Sequence, residues 1–458
     1  MRFSRLVLCL IALGWLASAR AQAPAAKRFV PPPPEPQSTT VSTPKPPVPL
    51  PPPSLPVALY LTWQRDPTTT MTVHWHTEWT VGFSDSVLEY RRASDSPDAA
   101  WMRAPGRAQP MPFTNRMVHT VELIGLNPDS VYQFRFGRLV SQETEGATLF
   151  QAHGAMHKFR TLPATLSRPV NFIAGGDVYG GTTLELLEFM CATAAKLDPE
   201  FAMLGGDIAY VNDEPKAGQR WFDFFRLWEK HMIAPDGRII PILPAIGNHE
   251  AHGDTYEIRG GEPRRGMAAD RALYFYTLFA FPGRPGYRAL DFGNYLSLIA
   301  LDSFHTNPVP GPQTDWLRGA LAARRGVPFV VPFYHVPAYP SVRSFNTPIS
   351  VAIRANWVPL FDEAGIRFAF EHHDHAYKVT HPLRAGKPDP AGTRYLGDGA
   401  WAVNTRVVLT PEKAPFIERS QPRNHVFAVT LHPDRADFRA VDPNGEVFDR
   451  FSIPAKRP

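Results

Sequence analysis

Six residues far apart in the chain carry side chains that could serve one shared purpose, the binding of metal: Asp177, Asp207, Asn248, His335, His373 and His375. All are hard or borderline oxygen and nitrogen donors, which suit Fe(III), Zn, Mn or a mixed pair rather than a thiophilic metal. Six donors exceed the four of a tetrahedral zinc site but fit two cations that share one carboxylate. Two cations about 3.5–4 Å apart can grip the oxygens of a phosphate ester and turn water into hydroxide near neutral pH. Taken singly, the short motifs are weak, because Gly-Gly-Asp, Asn-His and His-x-His more often mark a capped turn or an edge strand. Their recurrence, each at the end of an apolar run, is what points to a common site.

Those runs have the length and composition of buried strands. Residues 170–174 run into Gly175-Gly-Asp177, 201–204 into Gly205-Gly-Asp207, and 239–246 into Gly247-Asn248-His249-Glu250. Residues 295–301 end at Asp302, 327–334 lead to His335, and 368–370 lead to Glu371-His-His373-Asp-His375. A helix is expected at 183–196, with Leu184, Leu187, Met190 and Ala194 on one side. The alternation is that of an α/β sheet, whose ligands bind beyond the carboxyl ends of the strands. If the final motif is a strand, His373 and His375 share a face while His372 and Asp374 point the other way.

Upstream, 70–77, 86–92 and 117–124 alternate with period two and predict a small all-β sandwich. His74, His76, His119, His153 and His157 lie there without an Asp or Cys at ligand spacing. They read as exposed or hydrogen-bonded surface histidines, and the sandwich reads as a platform. The 48 Lys+Arg and 43 Asp+Glu are interleaved, for a net charge of +5, with no basic block carrying aromatics, so nucleic acid is not an expected partner. Two cysteines exclude a disulfide scaffold or a Cys-rich zinc module. Residues 1–23 read as a signal peptide: a basic start, an apolar run short of the roughly 20 residues a span needs, then Ala17, Ala19, Ala21 and Ala23 for cleavage. No later segment is long and apolar enough to span a bilayer, so a secreted or periplasmic protein is expected. Residues 24–56 read as a Pro-rich, extended tether. Cys191, in the helix at 183–196, reads as a small buried hydrophobe, and His231 as a packing residue on an aromatic-rich helix.

The set Gly176-Asp177-Val-Tyr-Gly180, Gly206-Asp207-Ile-Ala-Tyr210, Gly247-Asn248-His249-Glu250, His335-Val-Pro and His373-Asp-His375-Ala-Tyr377 resembles the purple acid phosphatases, within the calcineurin-like metallophosphoesterases. The resemblance extends to Asp302-Ser303, to Gln313-Thr-Asp-Trp316-Leu317, to the final Asp449–Ile453 segment, and to a fibronectin-type tyrosine corner at 125–136. Tyr210 is its most specific element. A phenol with an ordinary pKa of about 10 is a useful ligand only to a strongly acidic metal such as Fe(III).

What the resemblance implies is specific. A fibronectin type III-like all-β domain at 57–163 should precede a metallophosphoesterase domain at 168–458, an α+β four-layer sandwich of two mixed sheets flanked by helices. Asp177, Tyr210 and His375 should hold Fe(III), and Asn248, His335 and His373 a divalent Zn, Fe or Mn. Asp207 should bridge the two. His249 should face the phosphate or leaving group beside Asn248, while a metal-bound hydroxide attacks the phosphorus of a small phosphate monoester. The chain departs from the family in three places. His372 replaces a glycine, and Lys378-Val379 replaces a Glu-Arg pair. Residues 340–346 lack the histidine found in the longer plant enzymes, leaving Arg343 as either a phosphate clamp or a plain surface arginine. His252, Arg259, Arg264 and Arg265 read as loop residues over the site, solvent-exposed by default. Two other readings stay open: a phosphodiesterase or nucleotidase with two divalent metals, and a non-catalytic cell-envelope binding protein with a degenerate core.

Overall fold

The period-two segments form two four-stranded antiparallel sheets. One holds, in spatial order, Val57–Thr62, Met71–Glu78, Arg116–Leu123 and Arg107–Pro110; the other holds Met102–Pro105, Val87–Arg92, Val131–Ser141 and Thr148–Arg160. The corner expected near 125–136 is present, with the Asn127 N–H donating to the Tyr132 hydroxyl oxygen at 2.8 Å. The computed structural model describes residues 57–78, 86–141, 148–181, 183–251, 258–259, 262–263, 271–397 and 399–456. The expected signal peptide and tether, and the side chains of His252, Arg259, Arg264 and Arg265, lie outside the described residues.

The sandwich histidines depart from expectation: His74, His76 and His119 are 1%, 0% and 1% exposed. The reason is tertiary. The face bearing His74 and His76 packs against the helix Gln219–His231 instead of facing water. Tyr60 stacks on His74 at 4.9 Å and on Phe225 at 4.3 Å, and His76 meets Phe225 edge-on at 5.2 Å. The Tyr60 hydroxyl donates to the Leu278 carbonyl at 2.6 Å. Trp63 meets Phe201 and Phe292 edge-on, so one buried apolar cluster runs from the sandwich into the following sheets. A docked sandwich of this kind adds apolar burial to both parts.

Beyond residue 168 two mixed sheets face one another. The first runs Ile242–Pro244, Ala202–Leu204, Val170–Gly175, Val426–Leu431, Arg435–Val441, Val447–Pro454. The second runs Arg288–Phe292, Leu296–Ala300, Phe329–Phe333, Phe368–Glu371, Arg394–Gly397, Tyr377–Thr380, Ile417–Gln421. Their facing residues, among them Phe172, Phe427, Leu298 and Phe370, share one core. The helices Leu184–Lys196 and Gln219–His231 cover the first sheet, and Pro312–Ala322, Pro348–Asn356 and Val358–Ala364 the second. These are the four layers expected. Leu187, Met190 and Ala194 are buried on the first helix, and burial pushes the neighbouring Cys191 thiol up to about 12, which makes it a poor nucleophile. His231 packs at the end of its helix, where its Nε2 lies 2.8 Å from Glu188 Oε1.

Strand register decides where the polar motifs fall. Leu204 pairs in parallel with Gly175 and with Pro244, so the chain leaves three neighbouring strands at one edge. In the second sheet Ala300 pairs with Phe333, and Phe333 with Phe370, which delivers Asp302, His335 and Glu371–His375 to a common edge. No helix among the described residues is long and apolar enough to cross a membrane.

Candidate metal centre

The six residues singled out by type meet, and Tyr210 joins them. Tyr210 Oη lies 3.0 Å from Asp177 Oδ1 and 2.9 Å from His375 Nε2, while His375 Nε2 lies 3.0 Å from Asp177 Oδ1. A second group centres on His335 Nε2, which is 3.0 Å from each of Asp207 Oδ2, Asn248 Oδ1 and His373 Nδ1. The potential ligand atoms of Asp207, His335 and His373 all fall within 4.8 Å of one another. The groups adjoin through Asp177, whose Oδ2 accepts the His373 backbone N–H at 2.8 Å.

The backbone is bent to achieve this. Asp177, Asp207, Tyr210, His373 and His375 have φ of 53°, 52°, 51°, 79° and 58°. For residues with a side chain, this left-handed region costs on the order of 1 kcal/mol or more each and persists only where the surroundings enforce it. The His-x-His segment is accordingly a loop after the strand Phe368–Glu371, not part of it. His373 and His375 therefore converge through left-handed turns rather than by strand alternation, which corrects the expectation.

Close approaches of glycine support the site. A Cβ on Gly399 would fall 1.7 Å from Asp177 Oδ2, and one on Gly205 would fall 1.6 Å from the His372 ring. His372 is thus a buried wedge against Gly176 and Gly205, 1% exposed, with neither ring nitrogen hydrogen-bonded. Burial holds it in its neutral form.

Do these residues fit a cation pair? The Nδ1 atoms of His335 and His375 lie 2.9 and 3.1 Å from the carbonyls of Gly205 and Asn404. Only an N–H satisfies such an oxygen, so both Nε2 atoms turn toward the site, the orientation a metal-binding histidine needs. Burial pulls His335 down, yet Asp207 and Asp177 outweigh it and hold the ring up at about 9. Burial alone would raise Asp207, but His335, His249 and His373 keep it well below the usual carboxylate range. Tyr210 is pushed far up by burial and then by Asp177 and Asp207, so its phenol ionises only if a cation stands beside it. The donors fit cations in both groups.

Three further placements matter. The Asp207 Oδ1 accepts the His249 backbone N–H at 2.8 Å, and His249 stacks on Tyr210 at 4.1 Å. Its Nδ1 lies 2.5 Å from Asn212 Oδ1, while Nε2 is 3.8 Å from Asp207 Oδ2 at the partly open mouth. Arg343 Nη1 donates at 2.6 Å to both Asp374 Oδ1 and the His373 carbonyl, so it braces the loop. Glu250 accepts the backbone N–H groups of Asp207 and Ile208 at 2.7 Å and of Gly247 at 2.8 Å. Its role, like that of Asn212, Gly399 and Asn404, was missed by type and spacing; only the Asn-His-Glu run hinted at it. Glu250→Ala would orphan three buried donors at about 1–3 kcal/mol each. A fall in the thermal midpoint of the metal-free protein is expected, and an unchanged midpoint would refute this support.

Comparison with known proteins agrees with the geometry. Residues 171–383 match the family model for calcineurin-like phosphoesterase, and residues 56–161 that for the purple acid phosphatase N-terminal domain. An uncharacterized Mycobacterium tuberculosis protein is 25% identical over 407 residues, 77% of this chain and 71% of that protein. Purple acid phosphatase 18 of Arabidopsis thaliana is 26% identical over 302 residues, 63% of this chain and 59% of the plant protein. The solved purple acid phosphatase from yellow lupin (Lupinus luteus) seeds has the same fold, with a TM-score of 0.69 at 15% identity over 87% of this chain and 74% of that one. Fold and site together define a calcineurin-like metallophosphoesterase, a metal-dependent phosphoric ester hydrolase. Within that class, the chain belongs to the purple acid phosphatase-like proteins, with their N-terminal domain in front.

Proposed function

We propose that this protein is an exported acid phosphatase that cleaves phosphate monoesters at a dinuclear centre. The observation that carries the reading is the meeting of seven side chains from separate strand ends in two adjoining donor groups. Asp177, Tyr210 and His375 would hold one ion and Asn248, His335 and His373 the other, and Asp207 would be the carboxylate they share. When bound, two such ions neutralise the ester's oxygens, stabilise transition-state charge and supply hydroxide near neutral pH. Tyr210 favours Fe(III) in the first position, because its phenol sits among carboxylates and ionises only against a strongly acidic cation. The second ion is then a divalent Zn, Fe or Mn. His249, held by Asn212 and stacked on Tyr210, presents Nε2 at the mouth, where it would hydrogen-bond the ester or protonate the departing oxygen. Arg343 orients the His373 loop. Export rests on the basic start, short apolar run and alanine spacing of residues 1–23.

Metal content, an absorption spectrum and a phosphate-ester panel on one sample test this reading. Two ions per chain with iron present, a violet colour that Tyr210→Phe bleaches, and faster cleavage of aryl monoesters than of bis-aryl or cyclic diesters are expected. A colourless, iron-free and fully active enzyme would remove the Fe(III) assignment. A diester preference would install the phosphodiesterase reading, and substoichiometric metal the binding-protein reading.

A further inference from the structure

A completely buried ion pair lies behind the site, and nothing in the reaction outlined above uses it. Glu371 and Lys378 are both fully shielded from solvent, with Nζ 2.6 Å from Glu371 Oε2. The same carboxylate accepts the Tyr334 hydroxyl and the Ala338 N–H on Oε1, each at 2.7 Å, and the Tyr339 N–H on Oε2 at 3.4 Å. Lys378 Nζ also donates to the Tyr339 carbonyl at 2.8 Å.

The positions of these partners in the chain give the pair its meaning. Tyr334 directly precedes His335, and Ala338 and Tyr339 follow it. Glu371 opens the loop that carries His373 and His375, and Lys378 lies just beyond its end, in the strand Tyr377–Thr380. The strands before these two loops are joined in register only at Phe333 and Phe370. Past that point the Glu371 carboxylate ties the loops together, assisted by the His372 N–H to the His335 carbonyl at 2.9 Å. Gly397 completes the fit: a Cβ there would lie 1.8 Å from the Glu371 carbonyl oxygen.

Stability alone is a poor reason for such a pair. Removing two charges from water costs several kcal/mol, and well-packed apolar residues of similar volume usually do as well or better. What apolar residues lack is direction. A carboxylate with four donors fixes the angle between the segments that present its partners. The second of these loops depends on two left-handed residues, His373 and His375, which relax unless held.

We propose that Glu371 and Lys378 are positioning residues: their buried pair sets the mutual orientation of the His335 loop and the His373–His375 loop, and so the retention of metal. This rests on those histidines binding metal. The test uses the full-length, metal-loaded protein and follows metal loss to excess chelator. Three proteins are compared with wild type: the double variant Glu371→Leu/Lys378→Met, the single variant Glu371→Gln, and His335→Ala. Apo thermal midpoints are measured alongside.

The double variant should keep a midpoint near that of wild type and release metal about 10–100-fold faster, the usual effect of disturbing groups that orient ligands. Glu371→Gln, which keeps the shape but loses the charge, should also release metal faster. Wild-type release rates in both variants would overturn the positioning role while leaving the metal site intact. A double variant whose metal loss merely parallels a collapsed apo midpoint would reduce the pair to a structural prop, and also overturn it. If the wild type binds no metal, or His335→Ala binds as much as wild type, the metal-site reading itself fails and takes the proposal with it.

Discussion

Asp207→Asn is expected to cost at least about 10³-fold in turnover and to release both ions together. Among the described residues, Asp207 is the carboxylate placed to serve the whole His335 group, with Oδ2 3.0 Å from His335 Nε2 and Oδ1 accepting the His249 N–H at 2.8 Å. It is 1% exposed, so solvent screens its charge little. An asparagine keeps the shape but loses the charge and turns an amide N–H₂ toward a site that needs lone pairs. Metal-assisted charge stabilisation is worth several kcal/mol, and each 1.36 kcal/mol is a factor of ten in rate. Elemental analysis and turnover on the same purified variant check the claim. Normal turnover, or the loss of one ion with the other retained, would show that Asp207 is not shared.

The second large effect is a loss of stability in acid, originating at buried histidines of the sandwich, two of which lie at its seam with the phosphoesterase domain. Burial lowers His74 to about 3, with Arg107 adding to the shift, and His119 to about 4. His76 is held far below its usual value by burial, then by Arg116, His74 and His119, and both its ring nitrogens lack partners. Nearby, burial raises the Glu229 carboxyl as well. Such histidines fold in the neutral form and prefer to be protonated when unfolded. Below about pH 6.5 the unfolded chain therefore binds more protons, and stability falls as pH drops through the window from 6.5 toward 4 and 3. Each group contributes about 1.4 kcal/mol per pH unit within its window.

His76→Phe removes one such group while matching the aromatic packing of Tyr60 and Phe225. It should be more acid-stable than wild type by about 2 kcal/mol at pH 5 and unchanged in slope above pH 7. Denaturant unfolding at several pH values measures this. Parallel pH profiles for the two proteins would sink the argument. Carboxylates held low by arginines, such as Asp236 and Asp291, also lose stability in acid, so the difference between the proteins carries the test rather than the slope of either.

Much of the fold was legible because its signals are local. Period-two alternation, strand runs ending in Gly-Gly-Asp, and the 183–196 helix depend on neighbours a few residues away, and each formed within a residue or two of expectation. The tyrosine corner was equally legible, since Asn127 and Tyr132 lie five positions apart. Arg343 was not. Its type suited a phosphate clamp, but its partner Asp374 lies 31 positions away and becomes available only when the two loops are brought together.

The sandwich histidines show the same limit from the other side. Alternation placed His74 and His76 correctly on one face, and nothing local says that this face meets Phe225 rather than water. By itself the sequence determined which atoms were available for chemistry: seven oxygen and nitrogen donors, each at the end of a strand, with no thiolate among them. Tertiary structure decided how they aim. Parallel register brought the strand ends to one edge, left-handed turns at Asp177, Asp207, Tyr210, His373 and His375 pointed the side chains inward, and buried partners such as Glu250, Glu371 and Lys378 held those turns in place. The physical reason is that a donor's identity belongs to one residue, whereas its direction is fixed by contacts from distant parts of the chain.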